Sequence, residues 1–404
     1  RRCDRRRYPR RRATTMMSAI SIAHIIDHLG AGGAQRLVAD IAPRQARRGM
    51  SVAVIALRGP TPLSTEIAAA GVPVYCLDRA KWDLRQITTL LHLLRKLRPT
   101  VAHLHLMGAH TIGRLAAALA RVPVTVIHDH DASAEIYTHP GPLLALRRLI
   151  EPRIAAPGVA YVTLTEEAAA YAVHVRRWPA PQVVVVPNGI HLEHLASSSL
   201  SRAEARARLG LPAWATLIVS VGRLRPVKGF DLLLEAVATL PATVHLVLAG
   251  DGPEYTALAN RAARPDLAGR VHFLGHLADV RPLLRAGDIY AQPSRREAFG
   301  LAAAEAAACG LPVVASAVGG LREVVRHGET GLLVPPERPA ELAAALGHLV
   351  ADPPLLRHLG SAARDRAHAW LSIERTVERL DTLYRSLIFT EPVCPITTSG
   401  ATNR

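Results

Sequence analysis

The chain holds 404 residues, 49% of them apolar and 20% charged, with a net charge of +16. That length argues for two to three domains with cores of their own, and the composition excludes intrinsic disorder. No run approaches the roughly 18 consecutive apolar residues that a membrane-crossing helix needs, and aromatic residues at 4% leave little for a base-stacking surface.

The charge is unevenly placed. Residues 1–15 carry eight arginines and one aspartate, so +7 of the total lies ahead of Met16-Met17 and +9 is spread over the rest. Translation is therefore expected to start naturally at Met16 or Met17, with residues 1–16 a basic, disordered extension. An RNA-binding arm is the competing reading of the same arginines. The stretch after Met17 is no secretory signal, because His24 and Asp27 interrupt it. Cys3, Cys76, Cys309 and Cys394 show neither paired nor metal-ligand spacing, which points to a reducing compartment.

From Ile20 onward, short apolar runs alternate with longer amphipathic ones. Strands are predicted at 20–26, 52–57, 101–106, 124–127, 161–164 and 183–186, with helices at 34–48, 84–97 and 112–120. After Asn188-Gly189 the character changes, and Ser197–Leu211 reads as polar and Arg-rich. A second series then runs through strands 216–221, 244–249, 271–273, 289–291 and 313–315. Helices at 230–238, 254–264, 280–286, 301–309 and 340–349 interleave with them. Alternating β and α predicts two α/β doubly wound domains with parallel sheets, over 17–195 and 196–370. The helical pattern at 373–387 has no strand partner, so residues 371–388 are expected to pack back on the first domain, with 389–404 a disordered tail.

In such sheets ligands bind beyond the carboxyl ends of the strands, against helix N-termini. Three segments fall there. Gly30–Gln35 is glycine-rich between a strand and a helix, and a structural turn and an anion site fit it equally well. Ser220–Phe230 places Gly222 and Arg223 after a strand and Lys228 before a helix, two cations able to converge on a diphosphate. Only three of the 49 basic residues are lysines, which makes Lys228 the more notable. Pro293–Ser316 holds Glu297 in a loop and Glu305 inside the following helix, two carboxylates that can accept from hydroxyl groups. They flank the Phe299, Gly300 and Leu301 amides, which can donate to phosphate.

These motifs together resemble retaining glycosyltransferases of family 4, with the GT-B fold of two Rossmann-like domains facing across a cleft. The resemblance spans about residues 17–387 and is carried by GGAQR (32–36), VPNGI (186–190), SVGRLRPVKGF (220–230), LVLAGDGPE (246–254), VHFLGH (271–276), EAFGLAAAE (297–305), GLPVVAS (310–316) and GGLREVV (319–325). It implies that Arg223 and Lys228 hold the donor's diphosphate, that Glu305 binds the ribose, and that Glu297 binds the transferred sugar beside Phe299, Gly300 and Leu301. Gly33 and Gly222 would line the phosphate side and the Gly275-His276 loop would approach the base. Ala298 stands where the family commonly has glycine. His128 matches the family's histidine facing the donor, and Asp129 and Asp131 are weaker acceptor contacts. The run His128–Asp131 invites a metal reading, but consecutive residues cannot share one ion, so no metal or other cofactor is expected.

The implied activity is retaining transfer from a UDP- or GDP-linked sugar to a glycan or lipid-linked acceptor, as in cell-surface polysaccharide or glycolipid synthesis. The alternative is a GT-B epimerase or hydrolase-like enzyme without acceptor transfer; nucleic-acid binding would rest on charge alone. A cytoplasmic location is expected. Leu143–Ile154, with Arg147, Arg148 and Arg153, and the nearby Arg176–Trp178 could touch an anionic membrane at its inner face, and a solvated basic helix fits the same residues.

Overall fold

The architecture is that of a computed structural model, which describes residues 20–30, 32–78, 83, 85–130, 158–197 and 200–389. The basic extension, Asp131, Leu143–Ile154 and the tail after Phe389 lie outside the described residues.

Two parallel sheets carry the fold. The first comprises β1 (Ser21–Ile26), β2 (Ser51–Ala56), β3 (Val74–Cys76), β4 (Val101–His105), β5 (Val124–His128), β6 (Val159–Thr163) and β7 (Val183–Val185), in the order β3-β2-β1-β4-β5-β6-β7. The second comprises β8 (Thr216–Val221), β9 (Val244–Ala249), β10 (Val271–Phe273), β11 (Ile289–Gln292), β12 (Val313–Ser316) and β13 (Gly331–Val334), ordered β10-β9-β8-β11-β12-β13. Each order reverses once, between β1 and β4 and between β8 and β11, and at such switch points a crevice opens at the carboxyl edge. Both faces of both sheets are covered, which is why the strands read as near-continuous apolar runs.

Five helices matter for the cleft: α1 (Gly33–Arg47), α2 (Phe230–Ala238), α3 (Leu301–Ala308), α4 (Pro353–Trp370) and α5 (Ile373–Phe389). Helix α5 lies with α1 on one face of the first sheet, where Val377, Leu380, Leu383 and Tyr384 share a core with Val38 and Ile41. The chain passes between the two sheets twice, and the passages touch. Ile190 N donates to Leu371 O at 2.7 Å and Ile373 N to Ile190 O at 3.1 Å. A Cβ on Gly189 would lie 2.4 Å from Ile373 Cα, so only glycine fits there.

The strands expected from apolar runs are all present within two residues at either end. The sequence reading missed β3 and β13, the helix Pro62–Ala69 and the whole of α4. The segment expected as a helix over 112–120 begins earlier, at Leu106, and passes through a π turn at Ala109–Gly113 before the regular helix Arg114–Ala120. Asp27, just after β1, accepts from Gly108 N at 3.0 Å and Ala109 N at 2.5 Å, fixing that start against the first strand. Among the described residues no helix is long and apolar enough to cross a membrane.

Candidate active site

The loop after β8 is shaped by glycines. Gly250 has φ +136°, and a Cβ there would meet Gly222 O at 1.9 Å, so the turns after β8 and β9 are in backbone contact. Gly229, at φ +66°, ends a short turn carrying Lys228 and starts α2, whose Phe230 anchors it in the core. Lys228 Nζ donates to Glu297 Oε2 at 2.6 Å. The same carboxylate accepts from Ser294 Oγ at 3.0 Å, Ser294 Oγ accepts from Gln292 Nε2 at 2.8 Å, and Tyr290 OH donates to Gln292 Oε1 at 2.8 Å. A buried file of polar groups on β11 and its loop thus aims Glu297 at Lys228. Burial, with the charges of Glu297 and Glu305 nearby, pushes the Tyr290 phenol up and keeps it protonated.

The Glu297–Leu301 loop rests on Gly319 and Gly320. A Cβ on Gly319 would lie 1.9 Å from Glu297 O, and one on Gly320 would lie 2.4 Å from Phe299 Cα. Phe299 turns its ring into the core, leaving its backbone at the helix start, and Gly300 (φ +93°) leads into α3. Glu305, one turn inside α3, is pushed up to about 7, first by burial and then by the Asp40 carboxylate, against a weaker opposing pull from His191. Asp40 Oδ1 in turn meets Arg36 Nε at 2.7 Å and His191 Nε2 at 2.7 Å.

Both sheets contribute to one cleft. A Cβ on Gly33 would touch Leu301 Cδ1 at 3.0 Å, and one on Gly32 would lie 3.5 Å from the Arg223 guanidinium. A cavity of about 470 Å³ between them is lined by Arg36, Asp40, His191, Arg281, Leu301 and Glu305, among others. Gly275 (φ +64°) accepts from Gly250 N at 2.7 Å, but His276 is exposed and it is Ala278–Arg281, just beyond, that line the cavity.

The first sheet contributes histidines. His24, His103, His105 and His128 are fully buried on the α1/α5 face, because the register pairs His24 with His103 and His105 with His128. Two trios, His24/His103/His105 and His105/His128/His130, bring ligand atoms within 4.8 Å of one another. However, the His128 and His130 rings stack at 4.1 Å with planes 25° apart, so their in-plane lone pairs run side by side instead of converging on one ion. Hydrogen bonding between imidazoles accounts for the geometry better. Asp129 points elsewhere: Arg176 Nη1 donates to its Oδ2 at 2.7 Å, and the Tyr161 hydroxyl donates to the same oxygen.

Gly33 thus meets Leu301 and Gly32 faces Arg223 across the cleft, and Leu301 and Glu305 line its cavity; Lys228 and Glu297 pair on loops of the second sheet outside that lining, His128 ends β5 and Asp129 is held by Arg176. Sequence reasoning missed Asp40, His191, Gln292 and Ser294. Two of these stood beside quoted motifs, Asp40 one turn past Arg36 and His191 directly after VPNGI, and that adjacency was the available signal.

Comparison with known proteins agrees with this geometry. The profile for glycosyltransferase family 4 matches residues 31–194, and that for glycosyl transferases group 1 matches residues 201–366. A D-inositol 3-phosphate glycosyltransferase of Streptomyces bingchenggensis is 34% identical, covering 83% of this chain and 81% of its own length. One from Thermobispora bispora is 32% identical, covering 93% and 95%. Anabaena HepE, solved with UDP-glucose, superposes with a TM-score of 0.80 at 24% identity over 91% of this chain and 100% of its own, a shared fold. The chain belongs to glycosyltransferase family 4 and is a glycosyltransferase of GT-B fold.

Proposed function

We propose that this enzyme moves a sugar, with retention, from a UDP-linked donor to a hydroxyl of a small phosphorylated cyclitol of the inositol phosphate type. The observation that carries the donor half is the approach of Gly32 and Gly33 to Arg223 and Leu301, with Glu305 lining the cavity between them and the Lys228–Glu297 pair on the loops that lead into α2 and α3. UDP is favoured over GDP by HepE, whose structures hold UDP and UDP-glucose. The acceptor class is favoured by relatives that match this chain over most of their length, among them the two described above, which are named for inositol 3-phosphate.

Breaking a sugar–phosphate bond builds negative charge on the nucleoside diphosphate and positive charge on the anomeric carbon. Arg223, Lys228 and the amides at the start of α3 answer the first charge at the place where a divalent ion would otherwise be needed. On donor entry the diphosphate takes over Lys228, which frees Glu297 to accept from hydroxyls of the transferred sugar. Glu305 accepts from the ribose, and Gly33 lets the phosphates approach α1. His128 approaches the sugar from the N-terminal side, the acceptor hydroxyl attacks from the face the nucleotide leaves, and its proton passes to the departing phosphate oxygen on that face. The close approach of α1 and α3 at Gly33 and Leu301 would help to keep water from the donor.

The test is a matrix of UDP- and GDP-linked sugars against inositol phosphate, free inositol, glycan and lipid-linked acceptors, with the product anomer read by NMR. Retained transfer from a UDP sugar to the phosphorylated cyclitol, well above free inositol, supports the proposal. Nucleotide release without acceptor, or transfer confined to glycan or lipid-linked acceptors, overturns it.

A further inference from the structure

Five imidazoles form a row beneath α1 and α5: His24, His103, His105, His128 and His130. Burial holds them neutral, with His24 at about 4, His130 at about 3 and the other three well below their usual value. A neutral imidazole has one donor and one acceptor nitrogen, so each hydrogen bond along the row dictates the next.

The row starts at Asp381 of α5, an acceptor-only carboxylate 3.2 Å from Arg48. It accepts from Gln45 Nε2 at 3.2 Å, which turns the Gln45 oxygen toward His24 Nε2 at 2.8 Å. His24 Nε2 must then carry the proton, leaving His24 Nδ1 to accept from His105 Nε2 at 3.1 Å. His105 Nδ1 accepts from His130 Nε2 at 2.9 Å, and His130 Nδ1 ends the branch as a buried lone pair with no partner. A second branch starts at Tyr384 of α5. Burial keeps its hydroxyl protonated, and that O–H is directed at His103 Nδ1, 2.6 Å away. His103 Nε2 donates to His128 Nδ1 at 3.2 Å, and His128 Nε2 ends this branch as a buried N–H with no partner.

We infer that Gln45, Asp381 and Tyr384 are positioning residues that lock all five histidines as the Nε2–H tautomer, so that His128 offers a hydrogen-bond donor and His130 an acceptor at the carboxyl edge of the first sheet. The catalytic use of that edge rests on the function proposed above; the tautomer lock does not. The C-terminal helix thereby reaches the reaction centre through two imidazoles without touching substrate.

Full-length protein labelled with ring-15N histidine, recorded near neutral pH by long-range proton–nitrogen correlation, tests this. Five Nε2–H rings are expected in the wild type. In Tyr384→Phe, His103 and His128 should populate both tautomers while His24, His105 and His130 keep theirs. Turnover should fall on the order of tenfold, the rate equivalent of one net hydrogen bond, with donor KM little changed. In Asp381→Asn the Gln45 amide can rotate, and the His24–His105–His130 branch should lose its single tautomer. An Nδ1–H ring at His24, His105 or His128 in the wild type overturns the inference, as do unchanged tautomers in both variants. Tautomers that shift as stated while turnover holds support the lock and instead remove His128 from the transfer step.

Discussion

At the carboxyl edge of the second sheet the polar groups are full charges held in pairs: Lys228 with Glu297, and Arg295 with Asp231 at 2.6 Å. The first sheet has one such pair, Arg176 with Asp129 just after β5, but its strands also carry imidazoles that burial keeps uncharged, connected to one another, to Gln45 and to Tyr384. On the function proposed above, one lobe would meet an anion and the other would present directed hydrogen bonds near a carbon that becomes electron-poor, where a fixed cation would be repulsive. A domain built twice on one topology thus reaches two electrostatic characters through a handful of loop and strand residues.

The largest test of that division is Lys228→Ala or Arg223→Ala. Each should cut turnover about 10²- to 10³-fold, as loss of a donor to a developing anion does, while melting temperature changes little. Steady-state kinetics beside thermal denaturation checks both. Equal losses in turnover and stability would make these cations part of the fold.

Acid should separate the lobes next. The folded-state pKa of His24 is depressed to about 4, so its stabilising contribution is full above its ordinary value of 6.5 and is lost as pH falls toward 4. That is about 3 kcal/mol for this one ring, with its neighbours acting in the same direction. Hydrogen exchange at β1 and β4 should accelerate between pH 6 and 4, ahead of β8 and β11.

The second lobe should lean the other way where burial raises its carboxyls, Glu305 most of all and Glu323 in the same direction. Glu305 is raised to about 7, so its contribution is full below 4.5 and is lost as pH rises through 7, about 3 kcal/mol at most. Glu305→Gln should therefore match the wild type in weak acid and become the more stable protein above neutrality, read as melting temperature against pH. The smallest effect is expected for Gly33→Ala. Its methyl would press Leu301 at 3.0 Å across the cleft, raising donor KM several-fold, worth about 1 kcal/mol.

Much of this could be read from the chain. Parallel strands buried on both faces leave unbroken apolar runs, and the phosphate-side loops must carry glycine where backbones meet, so β8, β9 and the Glu297–Glu305 segment were plain. Strand β3 was not, because Val74–Cys76 is three half-buried residues at a sheet edge. Helix α4 opens on Pro353-Pro354 and spaces Leu359, Ala363 and Ala367 among arginines and histidines, so its buried face is made of small residues that raise no hydrophobic signal. The histidine row was hidden for another reason. His24, His103 and His128 each interrupt a different apolar run, and only strand register shows that they are neighbours. Gln45 and Asp381, far apart along the chain, bear no local mark of partnership.

The two passages between lobes, hydrogen-bonded through Ile190, Leu371 and Ile373, bear on how the cleft opens. Two independent tethers would let one lobe swivel freely over the other. Fastened side by side they behave like the leaves of a door hung on a single pin: swing about that pin remains, while sliding and twisting are resisted. Swing about that pin must therefore part Arg223 from the Gly32 turn and Leu301 from Gly33 in the same stroke, and restore both contacts together on closing.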